Sequence, residues 1–243
     1  MISQKKAIIV GASSGIGREV AQLLIDRGWR VGIAARREAK LLELQKQHPQ
    51  QVVVQTIDVN ADDASQRLLQ LIERLGGMSL YFHASGIGKQ NRPLEPAIEL
   101  NTVQTNALGF TRLIDTAFNY FAEHGGGHIA AITSIAGTKG LGPAPSYSAT
   151  KAFQNVYLQS LEQLANARRL NIRFTDLRPG FVDTDLLNDN NHYPLMLRPE
   201  RVAREMVASI EKHRHVRVID WRWRIITACW RRIPRSLWRH FRL

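Results

Sequence analysis

Short apolar runs rich in β-branched residues recur along this chain, and between them lie longer stretches whose apolar positions return every three or four residues. The runs are AIIV at 7–10, RVGIA from Arg30, VVVQTI from Val52, SLYFHA from Ser79, HIAAITS from His128, NIRFTDL from Asn171 and VRVI from Val216. Unbroken apolar runs of this length mark buried strands, and the 3.6-residue period marks amphipathic helices. Seven strands separated by helices predict an α/β fold: a single Rossmann domain with a doubly wound, mostly parallel seven-stranded sheet and helices on both faces. The domain is expected to span residues 1–220, with a loop at 140–145 ahead of a helix over 147–170. No repeat or low-complexity block interrupts the alternation.

Two places in this pattern carry chemistry for a nucleotide. The first strand runs into Gly11-Ala-Ser13-Ser14-Gly15-Ile16-Gly17 and then a helix. Glycines there allow a tight turn and close backbone approach, and the free amides at the helix start favour an anion such as a pyrophosphate. The spacing is GxxxGxG rather than GxGxxG, and its position between strand and helix is what gives it weight. After the second strand the chain reads Ala34-Ala35-Arg36-Arg37, where an enzyme using NAD usually places an acid for the ribose hydroxyls. Arg36 and Arg37 point to a 2′-phosphate and hence to NADP(H); a solvated start to the next helix is the plain alternative.

A third place carries chemistry for proton transfer. Tyr147 and Lys151 stand four residues apart in YSATK and so share one helix face. An unperturbed phenol has a pKa of about 10, and moving it by three units takes roughly 4 kcal/mol of preference for the phenolate. One lysine about 4 Å away supplies roughly that much at an effective dielectric near 20, less what desolvation removes. The pair by itself is also what a polar helix face looks like. Ser134 lies thirteen residues before Tyr147, at the end of a predicted strand.

Composition limits the class. At 243 residues, 44% hydrophobic and 22% charged, the chain can bury a substantial core. Cys229 is the only cysteine, which excludes an intrachain disulfide framework and fits a reducing compartment. The apolar stretch at 7–10 is too short for a signal peptide and no uncharged run reaches membrane-spanning length, so a cytoplasmic protein is expected. No zinc-type ligand spacing occurs, and no metal is expected. His83, directly after a strand and without ligand-spaced partners, reads as structural.

Net charge is +12, and residues 216–243 hold eight arginines against one aspartate, together with four of the five tryptophans. This segment, 221–243, forms a basic, amphipathic C-terminal tail. At 100° per residue Ile226, Trp230, Ile233, Leu237 and Phe241 share one arc, with Arg224, Arg231, Arg235, Arg239 and Arg242 opposite. Pro234 is expected to break it into two short helices, itself in the first turn of the second. Three readings of the tail stand open: peripheral contact at the inner face of a membrane, packing on the domain or a partner subunit, and nucleic acid, the last disfavoured because no reader motif accompanies it.

Taken together, these motifs resemble the short-chain dehydrogenase/reductase (SDR) family over residues 5–220, in its single-domain branch. The family's cofactor turn matches the run ending at Gly17, its adenine-contacting acid falls on Asp58 followed by Val59, and its strand-four motif appears as His83-Ala84-Ser85-Gly86 in place of Asn-Asn-Ala-Gly. Its helix Asn falls on Asn106, its Ser on Ser134, its Tyr and Lys on Tyr147 and Lys151, and its Pro-Gly motif on Pro179-Gly180, with Val182 and Thr184 at the nicotinamide carboxamide. Val10 stands where many relatives have threonine.

The resemblance implies a hydride transfer between NADP(H) and a carbonyl or alcohol. In it Ser134 donates to the carbonyl oxygen and Tyr147 gives that oxygen its proton. Lys151 lowers the tyrosine pKa and holds the ribose hydroxyls, and Asn106 positions Lys151 through a water. It also implies a homo-oligomer, dimer or tetramer, through the helices carrying Asn106 and Tyr147. The segment 184–199, with Leu186, Leu187, Tyr193, Leu195 and Met196, is expected either to close over an apolar or amphipathic substrate or merely to pack on the domain. The rival class is a non-catalytic NADP(H)-binding sensor or scaffold on the same fold; retention of all four catalytic residues favours an enzyme.

Overall fold

Strands whose side chains are buried on both faces are those that a parallel sheet needs, and all seven predicted runs form one. In the computed structural model, which describes residues 5–187 and 193–241, the strands are β1 (Lys6–Val10), β2 (Arg30–Ala35), β3 (Val52–Thr56), β4 (Leu80–His83), β5 (Gly127–Ile132), β6 (Ile172–Pro179) and β7 (Val216–Ile219). Their order is β3-β2-β1-β4-β5-β6-β7, every neighbouring pair parallel. The sheet is therefore wholly parallel, with its switch of direction between β1 and β4.

Two apolar layers cover it. On one face α1 (Gly15–Asp26), α2 (Glu38–Gln47) and α7 (Pro199–Glu211) pack on Ala7 and Ile9 of β1. On the other, α3 (Ala64–Leu75), α5 (Phe110–Glu123) and α6 (Pro145–Ala167) pack on Ile8 and Val10. The alternation of β1 residues between the two layers is the period of two made physical. Local chemistry sets the ends: Gly76 closes α3 in the left-handed conformation (φ 77°), and Pro145 and Pro199 open α6 and α7, where a missing amide costs nothing.

Two departures from a regular layout bear on the site. Between α4 (Pro96–Val103) and α5 the helix widens into a π turn, Gln104–Gly109, which contains Asn106. Gly109 sits there against Val59, whose Cγ2 and carbonyl oxygen would lie 2.9 Å from a Cβ at that position. The tail forms α8 (Trp221–Arg232) and α9 (Arg235–Trp238), split by Pro234 as predicted, with Pro234 directly before the second helix rather than inside its first turn. Asp220 caps α8, accepting from the Arg222 amide at 3.0 Å. Arg242 lies outside the described residues.

Candidate active site

At the carboxyl ends of the strands, over the β1/β4 switch point, lies a cavity of about 810 Å³. Every residue expected to bind the cofactor lines it: Gly11, Ser13, Ser14, Gly15, Ile16 and Gly17, then Arg36 and Arg37, Asp58 and Val59, Ser85 and Gly86, and Pro179, Gly180, Val182 and Thr184. The glycines are required by geometry. Gly11 has φ +94°, and a Cβ on Gly17 would stand 2.2 Å from the Gly11 carbonyl oxygen. Arg37 braces this turn, donating to Ser13 Oγ (3.1 Å) and Ser14 Oγ and pairing with Asp185 at 3.6 Å. Arg36, exposed beside it, has no hydrogen bond or ion pair with any described residue, so its guanidinium is available to an anion. The cradle fits a nicotinamide dinucleotide.

Ser134, Tyr147 and Lys151 line the same cavity; Asn106 does not, but its Oδ1 lies against Gly86, which does. Ser134 lies two residues beyond β5, its Oγ accepting from the Ala136 amide at 3.0 Å, and its hydroxyl neighbours the Tyr147 phenol. Burial pushes the phenol above its ordinary value, partly offset by the neighbouring Ser134 hydroxyl. Lys151 is 4% exposed and is lowered to about 8 by burial, the carboxylate of Asp176 opposing part of that shift. Its Nζ donates to Ile132 O (3.2 Å) and Gln154 Oε1 (2.9 Å) and lies 5.7 Å from the centre of the Tyr147 ring. The ammonium thus sits over the ring face, bonded elsewhere, and the expected lowering of the phenol by Lys151 is absent from this state. Asn106 is fully buried; its Oδ1 accepts from Ile87 N (2.9 Å) and its Nδ2 donates to Ile87 O (2.6 Å).

The remaining end of the cavity is apolar and aromatic. Leu186, Leu187 and Tyr193 of the expected loop line it, whereas Leu195 packs on the core and Met196 is exposed; residues 188–192 lie outside the described residues. Trp223 and Trp230 of the tail line it too. Of the arc predicted along the tail, Ile226 and Trp230 turn onto the domain while Leu237 and Phe241 are exposed, and the residue most buried is Trp223, at 2%. A ladder of rings runs Phe181, Trp223, Trp230, Trp238, Phe241, with centroids 5.4 to 6.3 Å apart. The tail also ties down the loop between Ser134 and Tyr147: Lys139 Nζ donates to Ile233 O (2.7 Å), and Trp238 Nε1 to Gly140 O (2.7 Å).

A family model described as short chain dehydrogenase matches residues 5–194. The chain belongs to the short chain dehydrogenase family. With that family it is an oxidoreductase. This dehydrogenase is 31% identical over 196 residues to an uncharacterized oxidoreductase of Myxococcus xanthus, covering 78% of this chain and 77% of that one. It is 29% identical over 229 residues to one of Mycobacterium tuberculosis, covering 90% of each. Among solved structures it is similar to an actinorhodin polyketide ketoreductase with NADPH (26% identity, TM-score 0.74, 85% of this chain and 90% of that one). The fold matches a 3-ketoacyl-(acyl-carrier-protein) reductase from Brucella melitensis complexed with NADH (19% identity, TM-score 0.79, 90% and 98% covered).

Two features set this dehydrogenase's site apart in its own sequence. His83 is fully buried, hydrogen-bonded through Nδ1 to the Tyr81 hydroxyl at 2.9 Å and edge-on to Phe110. Burial, and then the charge of Lys151, push it down to about 3, so it stays neutral and packs beneath the cofactor cradle. Trp223, missed by pattern reading although it lies seven residues before Trp230 on the same face, backs the Pro-Gly turn: a Cβ on Gly180 would stand 2.1 Å from its Nε1. Gly180→Ala is accordingly expected to lower the unfolding free energy by about 1–3 kcal/mol, the cost of overpacking, as read from urea unfolding followed by circular dichroism. An unchanged midpoint would mean that Trp223 can move aside freely.

Proposed function

We propose that the chain is an NADP(H)-dependent carbonyl reductase or alcohol dehydrogenase acting on an apolar or amphipathic substrate. The observation that carries this is the convergence of Ser134, Tyr147 and Lys151 on the cavity that also holds the glycine cradle and Arg36, which has no ion pair among the described residues. NADPH supplies the hydride when bound. Gly11, Gly15 and Gly17 with the amides of α1 would hold its pyrophosphate, Arg36 its 2′-phosphate, Asp58 and Val59 its adenine, and Val182 and Thr184 its carboxamide. Ser134 donates to the carbonyl oxygen, and Tyr147, protonated at neutral pH because burial raises it, delivers the proton to that same atom. Lys151, charged below about pH 8, is placed to hold ribose hydroxyls. In the opposite direction the same phenol, once ionised, would take the proton from an alcohol.

Loss of NADPH absorbance with a panel of ketones, aldehydes and quinones tests the reading. Binding of NADPH without turnover of any of them would favour the rival, a sensor or scaffold. The rings at the substrate end support an apolar substrate and give a graded test. Covering about 50 Å² of substrate against an indole contributes roughly 1.3 kcal/mol, or about tenfold in affinity. Trp230→Ala is expected to raise KM by about that factor with a smaller change in kcat; equal KM values for the best apolar ketone would remove Trp230 from the wall.

Exposed Leu100, Val103, Leu108, Phe153 and Val156 on the helices carrying Asn106 and Tyr147 support a homo-oligomer formed through those faces. For the tail, the burial of Trp223 and the inward packing of Ile226 and Trp230 favour packing on its own domain over peripheral membrane contact. No helix among the described residues is long and apolar enough to cross a membrane.

A further inference from the structure

We propose that Gln154 is a positioning residue of this site, its side-chain amide bridging the Lys151 ammonium and the backbone carbonyl of Asn106. Gln154 follows Lys151 by three residues, hence on the same face of α6, and is fully buried. Its Oε1 accepts from Lys151 Nζ at 2.9 Å, while its Nε2 donates to Asn106 O at 2.8 Å. The acceptor is available because Asn106 lies in the π turn, where the regular helical bonding pattern is displaced. The Asn106 side chain is engaged with Ile87 and Thr150, so in this structure Gln154 is what links Asn106 to Lys151.

The family resemblance implies a water between Asn106 and Lys151, and an amide differs from a water in two physical respects. Its donor and acceptor ends are distinct, so the bridge has one orientation: carbonyl toward the ammonium, amino group toward Asn106 O. It is also not an acid or base at neutral pH, so the link holds Lys151 in place without passing its proton to the π turn. The other ionisable groups facing Lys151 are Tyr147 on α6, His83 at the end of β4, and Asp176 on β6, itself paired with Arg178; none is hydrogen-bonded to Nζ. An apolar residue in place of Gln154 would leave a buried carbonyl and a buried ammonium each short of a partner.

The inference rests on the reading of the site for what Lys151 does, but the contact is tested without turnover. Ligand-free protein labelled with ¹³C at lysine Cε is titrated by NMR, the Lys151 resonance being the one missing in Lys151→Met. Gln154→Met removes the acceptor and is expected to lower the Lys151 midpoint by about one unit. Gln154→Glu keeps the length, places a carboxylate against Nζ and is expected to raise it by about one unit or more. Opposite movements support the bridge, since a general loosening would move both variants the same way. Midpoints within about 0.2 unit of the parent protein in folded variants, checked by thermal melting, overturn it. If Gln154→Met fails to fold, the upward shift in Gln154→Glu decides alone. The alkaline limb of kcat/KM is expected to follow the same shifts. A limb that stays fixed while the NMR midpoints move supports the bridge and places the failure in the assignment of Lys151.

Discussion

Tyr147→Phe is expected to lower carbonyl reduction roughly a thousandfold while NADPH still binds within about twofold of the unmodified protein, because a positioned general acid contributes about 10² to 10⁴ in rate and only the hydroxyl is lost. The phenol lines the cavity beside Ser134 and can release a proton to an oxygen held there. Ser134 can orient and polarise that oxygen, but an aliphatic hydroxyl does not give up its proton at neutral pH. Single-turnover decay of NADPH absorbance, with cofactor binding followed separately by fluorescence quenching of the tryptophans, separates chemistry from binding. A variant that keeps most of its rate would remove Tyr147 from the reaction.

The pH dependence adds a sign to the same prediction. Burial raises the Tyr147 phenol, so its proton is present through the neutral range and is lost only above pH 10. Burial lowers Lys151 to about 8, so its positive charge fades as pH rises through that value. A decline in reductive turnover between pH 7 and 9 therefore belongs to Lys151, and it disappears from the profile only if the ammonium has no part in holding the reactants. Asp176 opposes the depression, which ties the position of this limb to the carboxylate of β6 behind the site.

The second large effect concerns the choice between cofactors. Arg36→Asp is expected to cut the ratio of kcat/KM for NADPH over NADH by about 10² to 10³. One or two charge-assisted bonds to a phosphate contribute roughly 1.5–3 kcal/mol each, and an introduced carboxylate adds repulsion. Arg36 rather than Arg37 is the position to change, because Arg37 is engaged with Ser13 and Ser14 and its removal would also loosen the glycine turn. Steady-state kinetics with both cofactors checks the ratio. Equal use of NADH and NADPH by the unmodified protein would show that the two arginines are only a solvated helix start.

What the chain determined locally is the part that pattern reading reached. The strands were legible because each is a short apolar run, buried along most of its length in all but the edge strands β3 and β7, and the cofactor and catalytic motifs because their spacing along a strand, turn or helix settles their geometry. Gly11 to Gly17 span a single turn, and Tyr147 and Lys151 a single helical turn, so no distant contact is needed to bring their members together. The tertiary structure decided the rest, through packing between segments far apart in sequence. Trp223 and Trp230 became walls of the cavity because α8 docks beside the Pro-Gly turn of β6, and a helical projection of the tail alone does not know which side the domain will cover. Gln154 became a bridge because the π turn forty-eight residues earlier offers Asn106 O to its amide. The charge state of Lys151 is set in the same way, since burial by the sheet and the opposing carboxylate of Asp176 act through space and leave no mark in the motif YSATK.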